Sequence, residues 1–225
     1  METFDAINSR KSIRGYKDDQ ITENELSAIL EVANKAPNAG PFHVTVIQNK
    51  EFLTEINDKT KMKMLASEGF MKERASIPGY EPLYNAPTLV VVSTPETPFS
   101  QINASAAITT MAIAATDLGI GSCYVVSPVQ TLIEPDVLLR LNLPEGFVPI
   151  SGLLLGYESD NKIESPEREV PDNFNYILYN YKFSCIYFVL VVTFTFNLFF
   201  VLPLPYIIVH KHHLTSLIPY EFLVQ

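Results

Sequence analysis

Thr88-Leu89-Val90-Val91-Val92-Ser93 is an unbroken apolar run of strand length, and the reading of the rest of the chain turns on it. A strand with one wet face alternates apolar and polar residues, whereas a continuous run suits a central strand buried on both faces. Upstream, Asn85-Ala86-Pro87 is a turn leading into this strand, with Asn85 as the turn residue, and Pro78-Gly79 and Pro82 mark loop before it. A lysine- and methionine-studded helix is expected over 52–71, and a short strand of branched residues over 44–48. Earlier still, Thr22-Glu23-Asn24-Glu25 has the pattern of a capping box. Leu26, Ile29, Leu30 and Ala33 follow at helical spacing with one buried stripe, and Pro37 closes that helix.

Downstream of the run, residues 101–118 are alanine-rich, with small side chains on almost every side. Such a helix belongs deep in the packing or at a helix–helix interface. Gly119 and Gly121 stop it; a strand over 122–127, a helix over 128–141 despite Pro135, and a strand over 148–157 complete the pattern. Interleaved helices and strands give an α/β or α+β class.

At 225 residues the chain can bury one substantial core, and its net charge of −9 argues against a nucleic-acid partner. Cys123 and Cys185 are far apart and form no Cys-x-x-Cys motif, so neither a disulfide framework nor a metal site is expected. A reducing cytoplasm is the simplest location, and Met1-Glu2-Thr3-Phe4-Asp5 does not open a signal peptide. Composition shifts sharply near Ile177. Among residues 178–225 only Lys182, Lys211 and Glu221 carry formal charge, so the expected division is a domain over 1–177 and a hydrophobic tail over 178–225.

No Gly-x-Gly-x-x-Gly follows a strand, and there is no Gly-Lys-Ser/Thr phosphate loop, no His-Glu-x-x-His and no Gly-x-Ser-x-Gly. What the chain does carry is Arg10-Lys11-Ser12-Ile13-Arg14, three cations and a hydroxyl in five residues of an acidic protein. Arginine's planar fork suits phosphate oxygens, and a serine hydroxyl beside it adds a donor. Ile13 is expected to point the other way, into the core. Read alone, the cluster also fits a solvated basic helix end.

Taken in order, Arg10-Lys11-Ser12-Ile13-Arg14-Gly15-Tyr16, Ala36-Pro37-Asn38-Ala39-Gly40-Pro41-Phe42-His43, Asn85-Ala86-Pro87, Asp117-Leu118-Gly119-Ile120-Gly121-Ser122-Cys123-Tyr124 and Gly152-Leu153-Leu154-Leu155-Gly156-Tyr157, with Arg168 shortly after, resemble the FMN-dependent nitroreductase family over residues 1–177. The resemblance implies an α+β fold of three layers, α/β/α, around a mixed central sheet. It also implies a homodimer with FMN at the interface and ping-pong transfer of hydride from NAD(P)H through flavin N5 to a small acceptor such as a nitroaromatic or quinone. Flavin chemistry needs little acid–base machinery from the protein, which agrees with the missing motifs.

By the same resemblance Arg10 and Ser12 hold the FMN phosphate and ribityl chain, with Lys11 lending donors nearby. Arg14 is the catalytic candidate, a cation at the pyrimidine end of the flavin ring. Arg168 matches a basic residue closing on the phosphate, though a solvated loop charge reads the same way. Pro37, Asn38, Ala39 and Gly40 would reach the neighbouring subunit's flavin. That loop departs from the family by running straight into Gly40-Pro41-Phe42-His43, without the usual Asn-x-Gln-Pro-Trp. Tyr124 and Val125 would wall the ring, while Cys123 reads as a small buried hydrophobe. Residues 71–82, where relatives build lids, offer no match.

The rival reading is a flavin-binding or membrane-attached protein without robust turnover. It rests on the short loop and on the tail, whose residues 183–202 are long and apolar enough to cross about 30 Å of hydrocarbon as a helix. A tail wrapped on a partner subunit, or one irrelevant to function, fits the same composition.

Overall fold

The computed structural model describes residues 1–160, 162–163 and 172–177. The chain divides into two compact units, Met1–Glu169 and Val170–Gln225, and every element named below belongs to the first. In order these are helix α1 (Thr3–Ser9), α2 (Glu23–Glu31) with a following 3₁₀ turn (Val32–Lys35), strand β1 (His43–Ile47), α3 (Lys50–Ala66), α4 (Phe70–Ala75), β2 (Thr88–Pro95), α5 (Ser100–Asp117), β3 (Gly121–Val125), α6 (Val129–Leu132), α7 (Pro135–Arg140) and β4 (Phe147–Gly156).

The four strands lie in the order β1-β2-β4-β3. β2 is buried along nearly its whole length, as its apolar run requires. Its side chains alternate between two cores. Leu89 and Val91 face a cluster with Ile56, Met64, Leu132 and Leu154, while Val90 and Val92 face one with Ile29, Ile108, Met111 and Leu153. Helices α3 to α7, apart from α5, belong to the first face, and α2 and α5 to the second, which makes three layers. The small side chains of α5 let it bury Ala104, Ala107, Ala112 and Ala115 within this chain.

The sheet corrects one expectation. All three pairings among the described strands are antiparallel, not mixed. β2 and β3 do run the same way, joined by the α5 crossover, but β4 is inserted between them and removes the parallel pair. Two expected helices also divide. The 52–71 helix stops at Ala66, and Gly69, at φ +62°, turns the chain into the separate α4. Pro135 does not sit inside a helix over 128–141; it occupies the first turn of α7, where its missing N–H costs nothing. The candidate membrane span at 183–202 lies outside the described residues; among these, no helix is long and apolar enough to cross a membrane.

The capping box forms. The Glu25 backbone N–H donates to Thr22 Oγ1, and the Glu25 carboxylate accepts from the Thr22 N–H and hydroxyl, each at 2.7 Å. The Tyr157 hydroxyl donates to the same carboxylate at 2.8 Å and ties α2 to the end of β4. The Thr22 hydroxyl first, then its N–H and Tyr157, hold Glu25 below the ordinary value of 4.5. A depressed carboxylate stabilises the fold above its unfolded value, and that contribution is lost as pH falls through the folded one. Glu25→Gln is therefore expected to melt lower than wild type near neutral pH. The gap should close in acid, and a gap persisting at about pH 3 would assign the loss to packing instead.

Candidate functional site

The site begins with a segment that has no regular structure. Past α1, Arg10–Gly15 form neither helix nor strand, and Ile13 fixes them: the Ile13 N–H donates to the Ser122 carbonyl of β3 at 2.9 Å. The Ile13 side chain is 5 % exposed and packs against Gly121, where an added Cβ would meet it at 3.2 Å. Further on, the Lys17 N–H donates to the Tyr157 carbonyl, and the Ser159 and Ile163 N–H groups donate to the Gly15 and Arg14 carbonyls. Residues 13–17 are thus laid against the ends of β3 and β4.

With Ile13 inward, its neighbours are turned toward β3. Cys123 is buried, and burial pushes its thiol above the ordinary value, while Arg14, the Ser12 hydroxyl, Arg74 and Arg10 pull it back. Three arginines from two distant stretches therefore lie near enough to Cys123 for their charge to bear on it. The small hydrophobe expected at Cys123 matches its burial.

Beside that point lies a cavity of about 370 Å³. Arg14 and the β3 residues Cys123, Tyr124 and Val125 line it together with Val126, Ser127 and Gln130. Met64, Phe70, Met71, Arg74, Tyr80, Pro82 and Tyr84 line it as well. Tyr124 is the exposed residue of an otherwise buried strand, its hydroxyl 3.1 Å from Ser105 Oγ on α5. A larger cleft of about 470 Å³, bordered by Asp18, Asp58 and Glu81 with Lys50 as its cation, lacks this concentration of arginine and aromatic groups.

Arg14, Tyr124 and Val125 thus come together on one cavity. Arg10 and Ser12 act on the same strand. Lys11 is exposed and lies 3.4 Å from Glu158. The loop at Pro37, Asn38, Ala39 and Gly40 is exposed and does not line the cavity. It is held instead on α5, where the buried Asn103 side chain accepts from the Ala39 N–H at 2.8 Å. Arg168 lies outside the described residues.

The sequence reading missed the opposite wall. Arg74 of α4 donates to the Tyr84 hydroxyl at 2.6 Å and to the Tyr80 hydroxyl at 3.3 Å. The two tyrosine rings meet edge to face at 5.8 Å. Burial, reinforced by Tyr84, pushes the Tyr80 phenol up to about 12. A cation set among Phe70, Tyr80 and Tyr84 was the available signal; the sequence reading found no match for residues 71–82 and assigned them no role.

The donor set suits an anionic, planar ligand. Guanidinium and hydroxyl donors supply phosphate partners, and the volume falls within the range of small-molecule sites, roughly 300–1,000 Å³. FMN fits that description in charge and shape. Ile13→Ala is expected to destabilise the fold by about 2–4 kcal/mol in urea unfolding. An unchanged midpoint would mean that the arginine segment is not part of the core.

Comparisons with known proteins agree. The model of the nitroreductase family matches residues 7–157. The chain is 33% identical over 184 residues to a protein of Archaeoglobus fulgidus provisionally named NADH dehydrogenase/NAD(P)H nitroreductase, covering 76% of this chain and 95% of that one. It is 25% identical over 180 residues to an FMN reductase [NAD(P)H] of Bacillus subtilis, covering 73% and 69%. Among solved structures it is similar to a nitroreductase with bound FMN from Bacteroides fragilis, with TM-score 0.69, 31% identity and coverage of 80% and 100%. A second, also with bound FMN, is from Desulfitobacterium hafniense, with TM-score 0.72, 26% identity and coverage of 79% and 99%.

Proposed function

The chain belongs to the nitroreductase family, and we propose that it is an FMN-dependent oxidoreductase taking electrons from NAD(P)H and giving them to a small organic acceptor. The observation that carries this reading is the anchoring of the Arg10–Arg14 segment on β3, through the Ile13 N–H to the Ser122 carbonyl, beside an aromatic-walled cavity that Arg14 lines. FMN, when bound, supplies the hydride relay between nicotinamide and acceptor.

The chain's own residues do the rest. Arg10 and Ser12 bind the phosphate and ribityl oxygens, with Lys11 nearby. Arg14, on the cavity wall, presents a fixed positive charge to the pyrimidine end of the ring, where reduction leaves negative charge. Tyr124 and Val125 present one flat side and exclude water from it. Cys123, neutral and buried, takes no part in electron transfer. Nitroaromatics and quinones are the acceptor class the reading favours.

A dimer completes the site. Asn38, Ala39 and Gly40, anchored through Asn103 and outside the lining of their own chain's cavity, serve the partner's flavin. Phe4 (77 % exposed), Ile7 and Ile102 supply apolar surface for the contact. The catalytic domain ends near Ile177, and Arg168 closes on the phosphate.

The purified protein is expected to be yellow and to bleach on adding NADH or NADPH. A yellow protein that never bleaches would leave only a flavin binder. Arg10→Ala should lose about 1.5–3 kcal/mol of FMN affinity, the range for a charge-assisted hydrogen bond, while Arg14→Ala keeps more flavin and is reduced more slowly. Wild-type flavin content in dialysed Arg10→Ala would remove Arg10 from the site.

Residues 1–177 alone should sediment as a flavin-loaded dimer. A loaded monomer would overturn the shared site, and a folded dimer without flavin would overturn the boundary at Ile177.

A further inference from the structure

Arg74 differs from the ion-paired cations on its side of the sheet, and from the exposed Lys50 and Lys72 in being half-buried. Lys59 pairs with Asp136, Lys61 with Glu81, Lys63 with Glu134 and Arg140 with Glu55, at 2.5–2.8 Å. Arg74 has no carboxylate within ion-pair distance among the described residues, in a chain with 25 acidic and 16 basic side chains. Its partners are the neutral hydroxyls of Tyr80 and Tyr84, which occupy two of its five N–H donors. A half-buried guanidinium without a counter-ion is costly to keep, and here it lines a cavity.

It is also held in place. Tyr84 adopts φ +50° and Asn85 φ +60°, and a left-handed backbone at a tyrosine persists only where its surroundings enforce it. The Arg74–Tyr84 hydrogen bond and the Tyr80–Tyr84 ring contact are those surroundings. Around the guanidinium the wall is apolar: Phe70 is 67 % and Val126 58 % exposed, and the Phe70 ring centroid lies 5.8 Å from the guanidinium carbon.

We propose that Arg74 is a specificity-determining residue that binds the anionic group of the electron acceptor, so that the preferred acceptors are aromatic compounds carrying a carboxylate or a comparable anion. This deepens the oxidoreductase reading and rests on it. The aromatic ring of the acceptor lies against Phe70 and Val126, and its anion takes the remaining Arg74 donors, with Tyr80 and Tyr84 keeping the fork in register.

The test compares isosteric acceptors on the flavin-loaded full chain: 4-nitrobenzoate against 4-nitrobenzamide in turnover, and benzoate against benzamide in calorimetric titration of the oxidised protein. Wild type is expected to favour each carboxylate about tenfold or more, the range of a charge-assisted hydrogen bond. In Arg74→Gln both preferences should collapse to near unity, and Arg74→Lys should keep part of them, since it retains charge but not the fork. Wild type that shows no preference overturns the proposal, whatever the variants do. So does Arg74→Gln with preference intact, or Arg74→Gln that loses its flavin, which would give the residue to the cofactor. Failure to bleach with NAD(P)H sinks the oxidoreductase reading, whereas bleaching without carboxylate preference sinks this proposal alone.

Discussion

One buried isoleucine sets the geometry of the site. The Arg10–Gly15 segment has no helix or strand of its own to hold it. Its position follows from the Ile13 side chain entering the core and the Ile13 N–H donating to Ser122. Burying Ile13 secures the segment beside β3, and Arg14, the next residue, lines the cavity with Cys123, Tyr124 and Val125. Gly121 makes the close approach tolerable, since a Cβ there would meet both Ile13 and the Gly156 carbonyl. The glycines of β3 and β4 thus serve the binding segment as much as the sheet.

The electrostatics follow from that placement. The protein is acidic overall, yet Arg10, Arg14 and Arg74 all act on Cys123. A local concentration of positive charge on a low-dielectric wall holds an anion more firmly than the same charges dispersed in solvent. A net charge that argues against a nucleic-acid partner therefore has no bearing on a small anionic ligand. A thiol near three arginines would ordinarily be activated, but burial is the larger effect here, and Cys123 stays protonated.

The layers were legible where local chemistry decides them. The apolar run of β2, the Thr22–Glu25 box and the stop at Gly119 depend on near neighbours, and each formed within a residue or two of expectation. The divided helices were not legible: Gly69 and Pro135 can each be absorbed into a helical pattern, and only packing decides that they break it. The sheet's direction was hidden for a different reason. It depends on which strands become neighbours, and the insertion of β4 between β2 and β3 leaves no trace in any one stretch. The Arg10–Arg14 segment could be read because its residues are contiguous, whereas Arg74, Tyr80 and Tyr84 meet only once α4 has turned away from α3.

That inserted strand also sets an order of events during synthesis. Among the described strands β4 is the last to leave the ribosome and yet occupies an interior position, paired with β2 on one side and β3 on the other. Until residue 156 is available, β2 and β3 have no shared partner, and each exposes a row of unpaired amides. The anchors at Tyr157 and Ser159 for residues 15–17 arrive later still. The first residues made are therefore among the last secured, and a nascent chain stalled before β4 carries the whole arginine motif without a place to hold it.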